Sequence, residues 1–314
     1  MESISTAISG SASVRRRNRV LLRRERIITI IAFLLPAAAI FILLVIFPVV
    51  QAAYYGFYKW NGLGPATNFV GLENYIRILR DEIFQKAILH NILLIALSLI
   101  TQLPLALFCA ILVGRHLRGR AFFRMIYFLP FVLSEVVTGL IWSFIYHPRA
   151  GLINWLLHLV FPTWEPPSWL GTPNLLVLCS IFVVITWKYF GYHMILYVAG
   201  LQNIPAEVEE AAQIDGASSW QVIRYVIIPL LGRTIRLTIY LSVLGSLQLF
   251  DLVWVMTQGG PANVSNTMAT YMYQFGFLRS QLGYGSSIAV IMFIICFSFS
   301  LIYQRKVMQQ DFAV

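Results

Sequence analysis

Charged side chains are scarce in this sequence. Of its 314 residues only 11% are Asp, Glu, Lys or Arg, whereas a typical soluble domain has about 25%. Hydrophobic residues make up 59% of the chain, and the mean hydropathy is +0.75. This balance excludes an ordinary water-soluble globular protein and predicts an integral membrane protein.

Residues and motifs that carry catalysis are also missing. The three cysteines lie far apart in apolar runs, so they predict neither a disulfide framework nor a metal site. The five histidines do not have metal-ligand spacing. No H-E-x-x-H or G-x-S-x-G motif occurs, and no Gly-Lys pair is present for a phosphate-binding Walker A loop. We therefore expect no catalytic residue, no metal and no cofactor on this chain, which cannot hydrolyse ATP itself.

Acidic residues are fewer than basic ones, and the formal net charge is +10. A nucleic-acid-binding protein would gather its basic side chains on one face, with aromatic residues between them. Here the basic residues cluster beside apolar runs, where they set the orientation of a membrane protein. We expect membrane lipid around this chain and no nucleic-acid partner.

Several apolar runs are long enough to cross a bilayer, which takes about 20 helical residues. They predict an all-α integral membrane protein with a basic tail at 1–26, a six-span domain at 27–304 and a second tail at 305–314. A short helix at Leu152–Val160 is expected at the membrane interface. The six predicted spans are approximately Ile27–Val50, Ala87–Val113, Phe122–Tyr146, Asn174–Ala199, Arg233–Thr257 and Ser286–Gln304.

The distribution of Lys and Arg predicts the orientation of these spans. If the N-terminus is cytoplasmic, 16 of the 23 Lys and Arg residues lie in the tails and loops on the inner side. Positive charge is enriched on the cytoplasmic side of membrane proteins. Six spans then place both termini in the cytoplasm, in a multi-pass protein of the bacterial inner membrane.

The inner loop between the fourth and fifth spans, residues 200–232, has signals for two helices. Pro205 can begin a helix, because a missing N–H costs little in the first turn. Asp215-Gly216 predicts the end of that helix, because Gly readily adopts the left-handed conformation. Ser218 and Gln221 have the spacing of a capping box for a second helix. The loop is therefore predicted to be a helix–turn–helix along the membrane.

The same loop contains Glu210-Ala211-Ala212, then Gly216, and then Val226-Ile227-Ile228-Pro229. This pattern resembles the EAA loop of permease subunits from binding-protein-dependent ATP-binding cassette (ABC) importers. In that family the loop is the cytoplasmic handle that the ATPase subunit grips. The resemblance implies a type I ABC importer permease fold with a coupling-helix loop. It also implies that the ATPase-coupling residues are Glu210, Ala211, Ala212, Asp215, Gly216 and Pro229.

Two outer segments extend this resemblance. Residues 69–75 (FVGLENY) resemble the first external loop of sugar-type permeases, and residues 257–263 (TQGGPAN) resemble the segment after their fifth core span. Together they are similar to the family of the larger maltose-type permease subunit. The resemblance implies uptake of a sugar, in particular an oligosaccharide. It further implies a heterodimer with a second permease, two ATPase subunits that bind ATP and Mg, and an extracytoplasmic solute-binding protein.

Polar and aromatic residues inside the spans are candidates for a substrate path. Ionisable side chains within a membrane are usually functional, and sugars are bound by aromatic stacking together with hydrogen bonds. Two structural alternatives stand beside this interpretation: small residues can pack helices together, and Glu135, mid-span in the third helix, can form an ion pair with Lys188. By position, the resemblance assigns the path to Phe131, Glu135, Tyr189, Tyr192, Ser242, Gly245, Ser246 and Leu249.

Other functions compete with a sugar permease. An ABC permease for another small polar solute would share the 200–232 loop. A secondary transporter driven by an ion gradient is less favoured, because six spans without an evident inverted repeat are unusual and the loop would be unexplained. A membrane-embedded enzyme would need a catalytic constellation that the sequence lacks. Purification with associated ATPase subunits would separate the ABC permease from the last two.

Overall fold

The computed structural model describes residues 29–114 and 119–308. The predicted tail at 1–26, the end of the chain and the inner-loop residues Arg115 and Arg118 lie outside the described residues. The chain divides into two compact units, Met1–Tyr54 and Tyr55–Val314. The first contains nearly all of helix α1, Thr29–Tyr55, which has no charged residue and one π-helical turn at Ile42–Ile46.

The second unit is helical throughout its regular structure, with no strand in its described part beyond an isolated bridge between Tyr58 and Phe69. Several of its helices contain a π-helical turn. The helices are α2 (Glu73–Arg80), α3 (Glu82–Gly114), α4 (Arg120–Val132), α5 (Glu135–Ile145), α6 (Leu152–Val160), α7 (Leu175–Gln202), α8 (Ala206–Ile214), α9 (Ser219–Leu230), α10 (Gly232–Leu247), α11 (Asp251–Thr257), α12 (Met268–Tyr273) and α13 (Leu282–Met308).

Within residues 29–114 and 119–308, four helices are long and apolar enough to cross a membrane, namely α1, α3, α7 and α13. Two bent pairs supply the rest: α4 meets α5 at 96°, and α9 meets α10 at 66°. Counting each pair as one span gives six, so the predicted all-α fold with six spans is confirmed. The short helix predicted at Leu152–Val160 is also present, as α6.

The third span is not the continuous helix that the sequence predicted for Phe122–Tyr146. Helix α4 ends at Val132, and the next two residues are extended, with ψ of 143° at Leu133 and 152° at Ser134. Pro130 lacks the N–H of an interior helix residue. The Ser134 hydroxyl accepts a hydrogen bond from the Val137 N–H at 3.2 Å, so Ser134 is the N-cap of a new helix. Glu135 therefore begins α5, so it lies in the middle of the broken span but at the start of a helix, not inside a continuous one.

The fifth span also differs from the prediction of one helix over Arg233–Thr257. Helix α10 ends at Leu247, the residues Gln248–Phe250 are not helical, and α11 begins at Asp251. At its other end α10 follows the loop helix α9 after a single bent residue, Leu231. The second helix of the predicted helix–turn–helix is thus joined directly to the fifth span.

A buried apolar cluster fixes the 200–232 loop to the spans. Val222, Ile227 and Leu231 of the loop pack with Met194 and Tyr197 of α7, and each is at most 5% exposed. Burial of apolar side chains of this size contributes roughly 1.5–3 kcal/mol each. The loop therefore does not hang free of the spans but forms one packed body with α7.

Candidate functional site

A cavity of about 370 Å³ lies between the two broken spans, α7 and the middle of α3. All eight residues that the sequence analysis assigned to the substrate path line this cavity. The described structure thus brings these predicted path residues together at one place. Eight further residues line the cavity that were not predicted as path residues: Ser98, Gln102, Ile185, His193, Leu241, Gln248, Phe250 and Asp251.

The break between α4 and α5 forms one edge of the cavity. The extended backbone there releases the carbonyl oxygen of Leu133 from helical pairing, and Lys188 Nζ donates a hydrogen bond to it. The Lys188 side chain is only 3% exposed. The Glu135 carboxylate accepts a hydrogen bond from the Tyr189 hydroxyl. The two side chains of the suggested Glu135–Lys188 ion pair therefore bond to different partners.

The break between α10 and α11 also borders the cavity. Asn91 Nδ2 donates to the Ser246 carbonyl at 2.6 Å, and Thr267 Oγ1 donates to the Leu249 carbonyl at 2.7 Å. Backbone groups at membrane depth must find partners inside the protein, and these two side chains supply them. The break also exposes the side chain of Asp251, the first residue of α11, to the cavity.

The α3 wall is built around a π-helical turn, Ser98–Gln102. Such turns are frequent at functional sites. The Ser98 hydroxyl donates to Gln102 Oε1, and its oxygen lies 2.7 Å from the Ser242 hydroxyl oxygen. Ser98 and Gln102 are each 2% exposed. Their signal in the sequence is a pair of polar residues four positions apart in an apolar run.

Aromatic rings form the wall between the two breaks. The Phe131 and Tyr192 rings are stacked, with centroids 4.7 Å apart and an interplanar angle of 16°. The Tyr189 ring meets Phe131 edge-on at 5.9 Å. His193 lies beside Tyr192 and is 4% exposed, and its Nδ1 has no hydrogen-bond partner within the described residues. This wall can stack on a ring-shaped solute and offers a buried nitrogen to a hydroxyl group.

The predicted path residues on α10 and just after it differ in whether they pack against other helices. A Cβ atom at Gly245 would have no described neighbour within 4 Å, so Gly245 is not a close helix contact within this chain. Ser242, in contrast, is buried and bonded to α3. Leu249 is 8% exposed and packs in the core beside Leu252 and Val253 of α11. The helix-packing alternative therefore fits Ser242 and Leu249 better than Gly245.

The turn of the 200–232 loop has the geometry that its sequence predicts. The Gly216 backbone is left-handed, with φ of +86°. The Ala217 N–H donates to the Ala212 carbonyl and the Gly216 N–H to the Gln213 carbonyl, both at 3.0 Å. These two bonds are the Schellman motif, which ends α8. The predicted capping box of Ser218 with Gln221 is also present.

The exposure of the predicted ATPase-coupling residues is uneven. Ala212 is half-buried and packs on the loop's own apolar cluster, beside Ala217. Two apolar side chains that sequence reasoning did not assign are strongly exposed beside them: Ile214 at 86% and Trp220 at 64%. The loop surface thus combines carboxylates with large apolar groups. The exposed coupling residues are Glu210, Ala211, Asp215, Gly216 and Pro229.

The Gly-Gly-Pro segment stabilises the break between α10 and α11 from outside the cavity lining. Gly259 has φ of +83°, and a Cβ there would lie 1.8 Å from Asn266 Oδ1, so no larger residue fits. The Thr257 and Ser265 hydroxyl oxygens are 2.8 Å apart, and Ser265 Oγ donates to the Gly260 carbonyl at 2.6 Å. This folded segment leads directly to Thr267, which bonds to the Leu249 carbonyl.

Comparisons with known proteins agree with this architecture. A probable ABC transporter permease protein of Pyrococcus horikoshii is 39% identical over 265 residues, which cover 84% of this chain and 90% of the relative. The diacetylchitobiose uptake system permease protein NgcF of Streptomyces coelicolor is 32% identical over 280 residues, 85% of this chain and 79% of its own length.

The fold also occurs in a crystal structure of a bacterial ABC transporter involved in the import of the acidic polysaccharide alginate. One chain of that structure superposes with a TM-score of 0.81 over 93% of this chain and 99% of its own, at 20% identity. The profile of one family matches residues 4–309, nearly the full length. The chain therefore belongs to the family of binding-protein-dependent transport system inner membrane components, and it is a membrane transport subunit.

Proposed function

We propose that this chain is one of two permease subunits of an ABC importer, and that its cavity forms part of the path of a sugar, in particular an oligosaccharide. The observation that carries the proposal is the convergence of the eight predicted path residues on one cavity. They come from three spans, and two of those spans have a break that borders the cavity, between α4 and α5 and between α10 and α11. Irregular backbone at membrane depth is tolerated where it lines a cavity.

The lining suits a hydroxyl-rich solute with apolar ring faces. Phe131 and Tyr192 present aromatic surface, while Glu135, Ser246 and His193 offer hydrogen-bonding groups. The similarity to the diacetylchitobiose uptake protein NgcF, at 32% identity over 280 residues, supports a sugar as the solute. The stacked aromatic pair favours a sugar over the alternative of another small polar solute, because sugar rings have apolar faces that stack on aromatic rings.

The 200–232 loop is the proposed site of coupling to two ATPase subunits, which bind the ATP and Mg. The exposed Glu210 carboxylate suits a basic or N–H donor on the ATPase, and Ile214 suits an apolar pocket. Because the cluster of Val222, Ile227 and Leu231 joins the loop to α7, movement of the loop would move the cavity wall. Rigid-body motion of this kind produces alternating access.

The remaining assembly follows from the family. A second, different permease would complete the path, and an extracytoplasmic solute-binding protein would deliver the sugar. The chain would lie in the bacterial inner membrane with both termini in the cytoplasm. The family's description names both the binding-protein dependence and the inner membrane, which supports this arrangement.

The test is purification of the tagged chain from its native membrane in mild detergent. We expect a second permease and an ATPase to co-purify, and ATP hydrolysis in vesicles to rise when the loaded solute-binding protein is added. Glu210→Ala should weaken ATPase docking by roughly 1.5–3 kcal/mol, since a charge-assisted contact is lost. The matched control, Glu165→Ala, removes an exposed carboxylate outside the loop and should have no effect. Recovery of the chain without any ATPase would contradict the proposal.

A further inference from the structure

The charge of the cavity lining is one-sided. Glu135 and Asp251 are its charged side chains, and both are acidic. Each is the first residue of the helix that follows a break, Glu135 in α5 and Asp251 in α11. The two breaks therefore each place a carboxylate on the lining of the same cavity.

Lys188, the basic side chain that interacts electrostatically with Glu135, lies in the wall and not on the lining of the cavity. Its buried ammonium donates to the Leu133 carbonyl. His193 also lines the cavity, and its Nδ1 has no hydrogen-bond partner within the described residues. Apart from His193, the side chains that line the cavity are therefore neutral or negative.

At the first break, Ser134 and Glu135 prevent the N-terminus of α5 from acting as an anion-binding site. The N-terminus of an 11-residue helix such as α5 carries a partial positive charge and attracts anionic groups. In α5 the Ser134 hydroxyl takes the Val137 N–H, and the Glu135 carboxylate occupies the first turn. A negatively charged group of a solute would meet a carboxylate there instead of free N–H groups.

From this lining we infer that the cavity accepts uncharged or positively charged sugars and rejects sugars that carry carboxylate, phosphate or sulfate groups. The inference rests on the proposed sugar path. An anionic group brought near Glu135 or Asp251 would be repelled in a partly dehydrated site, where such charges interact strongly.

The test compares three trisaccharides of different charge: maltotriose (neutral), the glucosamine trimer (cationic) and trigalacturonate (anionic). Binding is measured by calorimetry on the complete transporter in lipid nanodiscs, without the solute-binding protein, so that the permeases alone discriminate. We expect trigalacturonate to bind more weakly than maltotriose by about tenfold or more. The double variant Glu135→Gln with Asp251→Asn should reduce this difference to about threefold or less.

The control Glu73→Gln with Glu165→Gln removes two exposed carboxylates that do not line the cavity and should keep the full discrimination. Equal binding of trigalacturonate and maltotriose to the unmodified transporter would overturn the inference, as would full discrimination in the double variant. Failure of all three sugars to bind would overturn the sugar path and this inference with it. Co-purification of the ATPase would still stand, so the two failures are distinguishable.

Discussion

At the scale of single residues, three polar side chains maintain the breaks in the spans. Lys188 bonds to the Leu133 carbonyl, Asn91 to the Ser246 carbonyl and Thr267 to the Leu249 carbonyl. All three are buried. A buried carbonyl that loses its partner costs about 1–3 kcal/mol, so each of these side chains stabilises a conformation that a simple apolar span would not keep.

Lys188→Met is expected to destabilise the permease by about 1–3 kcal/mol, because it leaves the Leu133 carbonyl without its donor. The change should lower the thermal unfolding temperature of the detergent-purified protein and its yield. The control is Lys86→Met, since Lys86 is exposed at the start of α3.

The same substitution distinguishes the carbonyl bond from an ion pair. If Lys188 served mainly to neutralise Glu135, adding Glu135→Gln would restore stability, because removing both charges costs less than removing one. We expect no such rescue, since Glu135 bonds to Tyr189 instead. A double variant as stable as the unmodified protein would show that the ion pair matters more than the carbonyl bond.

At the scale of elements, the turn between α8 and α9 fixes the shape of the coupling loop. Gly216 has φ of +86°, and a Cβ there would have open space around it. Gly216→Val would therefore clash with nothing in the described chain, but its backbone would be strained by roughly 1–2 kcal/mol. We expect α8 to lose its Schellman turn while the spans insert normally. ATPase co-purification and stimulated ATP hydrolysis should fall.

A matched control is available on the other side of the spans. Gly64 also has a left-handed backbone, with φ of +67°, and open space around its missing Cβ. Gly64→Val should carry similar local strain without affecting ATPase binding. Equal loss of hydrolysis in both variants would mean that general destabilisation, and not the loop turn, causes the defect.

The elements show which features the sequence could and could not predict. The spans were predictable because length and apolar composition suffice, and the α8 stop was predictable because Asp215-Gly216 is a local signal. The breaks were not. Leu133 and the segment Gln248–Phe250 lie in apolar runs, and their partners, such as Lys188 and Thr267, are distant in sequence. Tertiary hydrogen bonds, and not local preference, decide these conformations.

The residues that line the cavity could be predicted only in part, because tertiary packing decides which side chains share it. The aromatic pair Phe131 and Tyr192 and the small residue Gly245 were assigned through family resemblance, and the structure places them around one cavity. Ser98 and His193 were missed because the resemblance gave no path residue in the second span and because a polar residue in a span can face either the cavity or a neighbouring helix. Only the packing of α3 and α7 against α10 shows that these side chains share a cavity.

At the scale of the whole molecule, the topology is directly testable. In a variant without native cysteines, Gly10→Cys and Phe312→Cys should react only with a membrane-permeant thiol reagent, because the Lys and Arg bias predicts cytoplasmic termini. Ala262 is exposed in the segment after α11. Ala262→Cys should therefore react with a membrane-impermeant reagent that can reach the outer face of the inner membrane. Labelling of residue 312 by the impermeant reagent would contradict the predicted orientation.

The breaks also constrain how the ribosome and the insertion machinery can deliver this chain to the lipid. The donor for the Leu133 carbonyl is Lys188, which is synthesised 55 residues later. Released alone, the third span would expose an unpaired carbonyl to hydrocarbon, at a cost of several kcal/mol. The third span should therefore wait beside the insertion channel until α7 emerges, and the two should enter the bilayer as a hairpin. For the fifth span the wait is shorter, since Thr267 follows Leu249 by 18 residues.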